Sequence, residues 1–228
     1  MNDAAQLALA KSVRGVLEAQ PPGPRWSAGN RMFGTPDAAV YRAMLGHLKP
    51  SRVIEAGSGY STAVVLDEAE ANADLIGLEV TCIEPYPARL NSLLRPGDKV
   101  KVLAQPVQDV ALETFAELTA GDILFIDSSH VVKAGSDVAW LLLRVLPNLA
   151  PGVAVHIHDV FWPFTYHTDW LTEHRDWNEA YFLHAFLSGN SQWEILLFTS
   201  WLWREHAEMV PPNLRGKEPG SVWLQKVR

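Results

Sequence analysis

Short apolar runs rich in β-branched residues alternate along this chain with longer stretches of mixed polarity. Runs of the first kind that end in glycine or a polar residue predict strands. They fall at 52–55, 80–84, 100–103, 123–127 and 153–158. Between them, 61–71, 87–94, 110–118 and 133–146 read as helices. Strand–helix alternation predicts a parallel sheet with helices on both faces. Beyond Pro163 the rhythm changes. Two late runs, 193–199 and 221–227, read as strands forming an antiparallel edge, and 161–176 reads as a long loop rich in aromatics and histidine. At the other end, 1–20 reads as an amphipathic helix. Pro21, Pro22, Gly23 and Pro24 then lead into Arg25–Phe33, a surface loop or a lid. The expected division is an N-terminal helix and lid over 1–34 and a core domain over 35–228.

Bulk properties narrow the function. A length of 228 residues suits one decorated α/β domain. The net charge of -7 argues against a nucleic-acid partner, whose phosphates call for a basic face. Cys82 is the single cysteine, which excludes an internal disulfide and favours a reducing compartment. No apolar run approaches the roughly 20 residues of a membrane span, and 1–20 lacks an export-signal core. The expectation is a cytoplasmic protein with a small-molecule partner, no membrane and no nucleic acid; homo-oligomerisation stays open.

The chemistry concentrates after the first strand. In an open parallel sheet, ligands sit beyond the carboxyl ends of the strands, where strand order reverses. Gly57-Ser58-Gly59 permits a sharp turn and close approach, and Ser61 or Thr62 can cap the next helix, whose N-terminus suits an anion. Glu84, closing the second strand, can hold both hydroxyls of a ribose. The pattern is not G-x-G-x-x-G, and Glu55 before the glycines would repel a pyrophosphate but could pair with an ammonium. Ribose, carboxylate and ammonium together describe S-adenosylmethionine.

These residues resemble a known family. Val53-Ile54-Glu55-Ala56-Gly57-Ser58-Gly59 is similar to motif I of class I methyltransferases, and Glu84 to their ribose-binding acid. The run from Gly121 to His130, Pro151-Gly152-Val153 with His156-Ile157-His158-Asp159, and Trp177-Asn178-Glu179 resemble the bacterial methyltransferase 24 family. The resemblance implies a Rossmann-like, mostly parallel seven-stranded sheet of order 3-2-1-4-5-7-6 with its last strand antiparallel. It implies a donor site drawn from Glu55, Gly57, Ser58, Gly59, Tyr60, Ser61, Glu84, Pro85, Gln105, Asp127 and Ser128. Gln105 to Asp109 follow the third strand, where adenine lies in this fold.

A second group, Asp127, His130, His158 and Asp159, sits at the ends of strands four and five. Carboxylates with imidazole are ligands for Mg, Mn, Fe or Zn. Asp127, His158 and Asp159 form the candidate metal set. His130, Asp127 and Asp159 form the candidate catalytic set, with His130 as general base. The arrangement is similar to that of metal-dependent sugar and catechol O-methyltransferases, with His158 where those carry an acid or amide. The same residues also read as a hydrogen-bond network without metal, and His156 as a satisfied interior histidine. Phe161, Trp162, Phe164, Tyr166, His167 and Trp170 suit a flat acceptor, plain core or a dimer contact equally. Trp201 and Trp203 read as packing. The expected reaction is transfer of a methyl group to a sugar or phenolic hydroxyl. Transfer to nitrogen or carbon, a nicotinamide-dependent oxidoreductase, and a non-catalytic nucleoside-binding protein stay open as alternatives.

Overall fold

A computed structural model describes residues 1–20 and 23–228. Pro21 and Pro22, half of the lead-in to the expected lid, lie outside the described residues. Seven strands form one sheet: β1 (Arg52–Ala56), β2 (Glu79–Ile83), β3 (Val100–Leu103), β4 (Ile123–Ile126), β5 (Ala154–His158), β6 (Trp193–Phe198) and β7 (Ser221–Lys226). Their order is β3-β2-β1-β4-β5-β7-β6, with β7 antiparallel to both neighbours. This is the order the resemblance implies. The β-branched runs that predict strands supply the central ones, and Val53, Ile54, Ile123, Leu124 and Val155 are buried. Strand order reverses between β1 and β4, so right-handed crossovers send the intervening helices to opposite faces.

Ten helices surround the sheet: α1 (Asp3–Ser12), α2 (Arg14–Glu18), α3 (Thr35–Leu48), α4 (Tyr60–Ala71), α5 (Ala88–Leu93), α6 (Leu112–Ala116), α7 (Asp137–Trp140), α8 (Thr168–Thr172), α9 (Glu179–Leu187) and α10 (Thr199–Glu205). Several depart from the pattern. The helix expected over 133–146 begins only at Asp137, because Gly135 takes a left-handed turn and Ser136 caps the helix through Ala139 N. It then widens into a π-turn over Leu141–Val145 and tightens where Pro147 enters. The N-terminal helix breaks at Val13. α3 has no amphipathic signal because every residue from Ala38 to Leu45 is buried. No helix among the described residues is long and apolar enough to cross a membrane.

The N-terminal layer packs on the same core, to which Leu9, Val13, Leu17, Trp26 and Phe33 contribute. Gln6 Oε1 accepts from Phe198 N at 2.8 Å, which ties α1 to the end of β6. Arg25, its side chain almost wholly buried, meets Asp67 at 2.8 Å, Glu70 at 2.5 Å and Asp98 at 2.6 Å. Trp26 Nε1 donates to Phe33 O at 3.0 Å, closing the loop that follows.

Two features set the level of the strand ends. Gly57 has φ 84°, and a Cβ there would overlap the carbonyl oxygen of Asp127. The turn after β1 therefore lies directly against the end of β4, an approach only glycine allows. Beneath that turn Glu55 is fully buried. Its carboxyl group accepts from Thr62 Oγ1 and from Tyr41 OH at 3.3 Å. This corrects the pairing expected between Glu55 and a ligand ammonium. The strand alternation points Glu55 into the core under α3 and α4, where it holds the turn from below. Burial raises its pKa to about 7, against the hydrogen bonds from Thr62 and Tyr41. His156 is interior as expected, packed against Phe125 at 4.5 Å and Trp223 at 4.6 Å, but neither ring nitrogen has a hydrogen-bond partner among the described residues.

Two outcomes follow. Gly57→Ala destabilises the protein by more than ~4 kcal/mol. Gly77→Ala, also at positive φ but with open space around it, costs only about 1–2 kcal/mol; equal losses in chemical denaturation would contradict the close approach. For Glu55 the folded state holds its proton more tightly than the unfolded chain does. That stabilisation is complete below the ordinary glutamate range and is lost as pH rises through about 7. Glu55→Gln therefore gains roughly 1–3 kcal/mol relative to the native chain on going from pH 5 to pH 8, read from melting curves at the two pH values.

Candidate functional site

The ends of β2, β1 and β4 are level because the backbone locks them together. Gly57 N donates to Ile83 O at 3.0 Å and Asp127 N to Ala56 O at 2.9 Å. Each strand stops one residue before its acid, so Glu84 and Asp127 stand in the loops and not on the strands. Beyond these ends lies a cavity of about 470 Å³. Gly57, Glu84, Pro85, Asp127 and Ser128, all expected at the donor site, line it. Tyr86, an exposed aromatic, forms part of its rim.

Glu84 is aimed by the backbone. Its Oε2 accepts from Ser58 N at 3.3 Å and its Oε1 from Tyr86 N at 2.9 Å. A pyrophosphate would need the same Ser58 N–H, so the argument against a dinucleotide moves from Glu55 to Glu84. Around the cavity, Ser128 Oγ and Gln108 Oε1 are buried without a hydrogen-bond partner among the described residues. Buried polar groups of this kind call for a partner. A polar, ribose-bearing ligand would supply one, so these residues fit a nucleoside donor.

Six expected donor residues lie off the cavity wall, Ser58 and the buried Glu55 among them. Gln105 turns away, its Nε2 donating to Asp109 O at 3.2 Å, and Gln108 takes the place on the cavity wall. Val107–Asp109 form a single helical turn, and that turn decides which glutamine faces inward. Gly59, Tyr60 and Ser61 do not line the cavity. They lie where the chain enters α4, and Ser61 joins Thr62 in facing Glu55.

The second group closes on itself at the β4 and β5 ends. His130 Nε2 lies 3.2 Å from Asp127 Oδ1 and 3.8 Å from Asp159 Oδ2. One ligating atom from each of the three falls within 4.8 Å of the others, a set able to hold a cation. The histidine in this set is His130, where the expected metal set has His158; His158 Nε2 stands 3.8 Å from Asp159 Oδ1. The alternation of β5 turns His156 and His158 to the same face, and His158 packs on Phe33 at 5.1 Å with its Nδ1 unpartnered among the described residues. Asp159 follows the strand with φ 56°, and its two carboxylate oxygens lie 3.8 Å from the Nε2 atoms of His130 and His158. His130 also has a left-handed φ, 59°. Two such non-glycine residues side by side mark stored backbone strain, which concentrates at functional sites.

Charge in this group is interdependent. Burial alone would lower the His130 pKa, but its contacts with Asp127 and Glu179 outweigh that and hold it well above the usual value. Burial likewise opposes ionisation of Asp127, yet His158 and His130 keep its carboxyl below the usual range. Asp159 goes the other way, raised by burial. Asp37, in the first turn of α3, rises to about 6 through burial and accepts from Gly220 N at 3.2 Å.

Sequence reasoning assigned no role to Glu179, Asn178 or Asp37. Glu179 Oε2 lies 2.9 Å from His130 Nδ1, although 49 residues separate them. No spacing rule reaches that far; the Trp177-Asn178-Glu179 motif was the available signal. The aromatic segment divides. Trp162 and Phe164 pack on Phe198, while Trp177 lies against His130 at 4.2 Å and meets Trp170 at 4.8 Å. The Arg175 guanidinium covers both tryptophans, at 4.5 and 5.0 Å. Trp201 is buried, as expected of a packing residue.

Residues 54–160 match the family model described as a methyltransferase domain, that of methyltransferase 24. An uncharacterized protein of Archaeoglobus fulgidus is 36% identical over 95 residues, 39% of this chain. That match spans 40% of the relative's own length. Among solved structures, the SAH-bound methyltransferase PaMTH1 of Podospora anserina is similar with a TM-score of 0.56 at 17% identity, over 98% of this chain and 88% of that one. The apo-structure of CmcI-N160 gives 0.54 at 18% identity, over 89% and 76%. These likenesses are of fold. The chain has the Rossmann-like class I methyltransferase fold, and its segment 54–160 matches the model of the methyltransferase 24 family.

Proposed function

We propose that the chain transfers a methyl group from S-adenosylmethionine to a hydroxyl oxygen of a small molecule, a sugar or a phenol. The observation that carries this reading is the position of Glu84. Its carboxylate is fixed by two backbone N–H groups on the wall of a cavity that Asp127 also lines. A ribose gripped there places the rest of the donor along the turn Gly57-Ser58, beside the group formed by Asp127, His130 and Asp159.

When bound, the donor supplies a methyl group on a positively charged sulfur, already activated for displacement. The protein's part is alignment and proton removal. Glu84 holds the ribose, and Gln108 and Ser128 offer their unpaired oxygens to the rest of the adenosine. At the other end, the donor's positive sulfur set beside this group opposes the charge that the carboxylates hold on His130, and Nε2 of the neutral ring takes the proton of the acceptor hydroxyl as the oxygen's electron pair bonds to the methyl carbon. The carbon–sulfur pair returns to sulfur, and the proton rests on the imidazole. A divalent cation held by Asp127 and Asp159, with His130 Nε2 left free for the proton, would polarise the acceptor oxygen. The form of CmcI described as Mg-SAM, similar at a TM-score of 0.50 and 20% identity, supports considering magnesium. Trp177 and Trp170 give the acceptor a flat apolar wall. A cytoplasmic location suits this chemistry.

Calorimetry with S-adenosylhomocysteine tests the reading. The native chain binds it, and Glu84→Ala weakens binding at least ~10-fold, about 1.4 kcal/mol. No binding at millimolar concentration sinks the proposal. Repeating the titration with Mg²⁺ or Mn²⁺ and with chelator tests the cation. An ion-dependent signal that disappears in Asp127→Asn/Asp159→Asn supports a metal-assisted reaction; identical behaviour in chelator removes the metal from the scheme.

A further inference from the structure

We infer that Glu179 is the positioning residue for His130: it fixes a proton on Nδ1 and thereby leaves Nε2 as the only ring nitrogen facing Asp127 and Asp159. The inference rests on the role proposed above for His130, and adds a residue that the donor site does not contain.

The geometry is specific. Glu179 opens α9 and is 2% exposed, so its carboxylate has little water to turn to. Its Oε2 stands 2.9 Å from His130 Nδ1. An ionised carboxylate only accepts hydrogen bonds, so the shared proton belongs to the ring. Burial raises the Glu179 pKa, while its contact with His130 and its first-turn position at the helix N-terminus favour the ionised form. On the opposite side of the ring, Nε2 meets Asp127 at 3.2 Å. With Nδ1 committed, any proton taken from an acceptor must arrive at Nε2.

The backbone holds the same arrangement. His130 has a left-handed φ of 59°, which its own side chain does not favour. Its carbonyl accepts from both Asn178 N at 3.1 Å and Glu179 N at 3.2 Å. Asn178 completes the clamp: its Oδ1 accepts from Val132 N at 2.6 Å and its Nδ2 donates to Val132 O at 3.3 Å. Trp177 covers one face of the imidazole. Three consecutive residues thus hold ring, carbonyl and following strand of chain at once. A glutamate that served only to cap α9 would need none of this. Carboxylate partners that orient a histidine and set its tautomer are a recurrent device at reactive and metal-bound imidazoles.

The test reads the ring directly and needs no acceptor. Protein labelled with [¹⁵N]histidine is studied at pH 7.5 with S-adenosylhomocysteine, and His130 is assigned by the signal missing from His130→Gln. The expected result is a slowly exchanging proton on Nδ1 in the native chain. That proton is lost in Glu179→Ala and retained in Glu179→Gln, whose amide oxygen can still accept it. S-Adenosylhomocysteine affinity stays within about threefold in both variants. Absence of the Nδ1 proton in the native chain, or its persistence in Glu179→Ala, overturns the inference. If Glu179→Ala fails to fold, Glu179→Gln decides: retention supports the role and loss overturns it. A native chain that shows the Nδ1 proton but binds no S-adenosylhomocysteine sinks the methyltransferase reading and leaves this inference standing.

Discussion

One steric constraint governs this molecule: the backbone after β1 has to pass the end of β4 with no side chain between them. Gly57 satisfies it, sitting where any Cβ would strike the Asp127 carbonyl. The reversal of strand order at this seam opens the crevice, and the missing side chain keeps the crevice floor low. Glu55 supports the turn from beneath through Thr62 and Tyr41, and Ser58 hands its N–H to Glu84 above. One short turn therefore joins a buried acid, a cavity-facing acid and the first member of the group formed by Asp127, His130 and Asp159.

Across the seam the two halves are built differently. On the β2 side, the ligand-facing carboxylate is held by backbone N–H groups, which do not titrate. On the β5 side, Asp127, His130, Asp159 and Glu179 hold one another, and each one's charge depends on the rest. Backbone-held recognition suits a ligand that must bind the same way every time. A network of titratable groups suits a place where a proton moves or a cation docks. Left-handed backbone at His130 and Asp159 is the strain that such crowding requires.

Much of this was legible in the chain. The central strands announce themselves because both faces are covered and β-branched residues run without interruption. The glycine turn and Glu84 are legible because their spacing is local. What was not legible depends on contacts between distant segments. α3 hides because a helix buried on all sides has no polar face. Glu55 reads as a ligand because sequence cannot say which side of the sheet a strand-end acid faces. The choice of Gln108 over Gln105 rests on a single helical turn. That His130 stands within reach of both Asp127 and Asp159 depends on the left-handed backbone at His130 and Asp159, which no pattern of residue types announces. Glu179 is out of reach of any motif rule based on spacing, since its partner comes 49 residues earlier.

The triple anchoring of Arg25 bears on traffic in and out of the site. With Arg25 fastened to α4 and to the turn before β3, and the chain after it stitched back by Trp26 to Phe33, the loop before α3 is held to the core at both of its ends. Phe33 then stands behind His158 as a wall and not a door. On the proposed function, an acceptor reaching His130 passes Trp170 and Trp177, and the arginine draped over those two indoles is the piece that has to move for it.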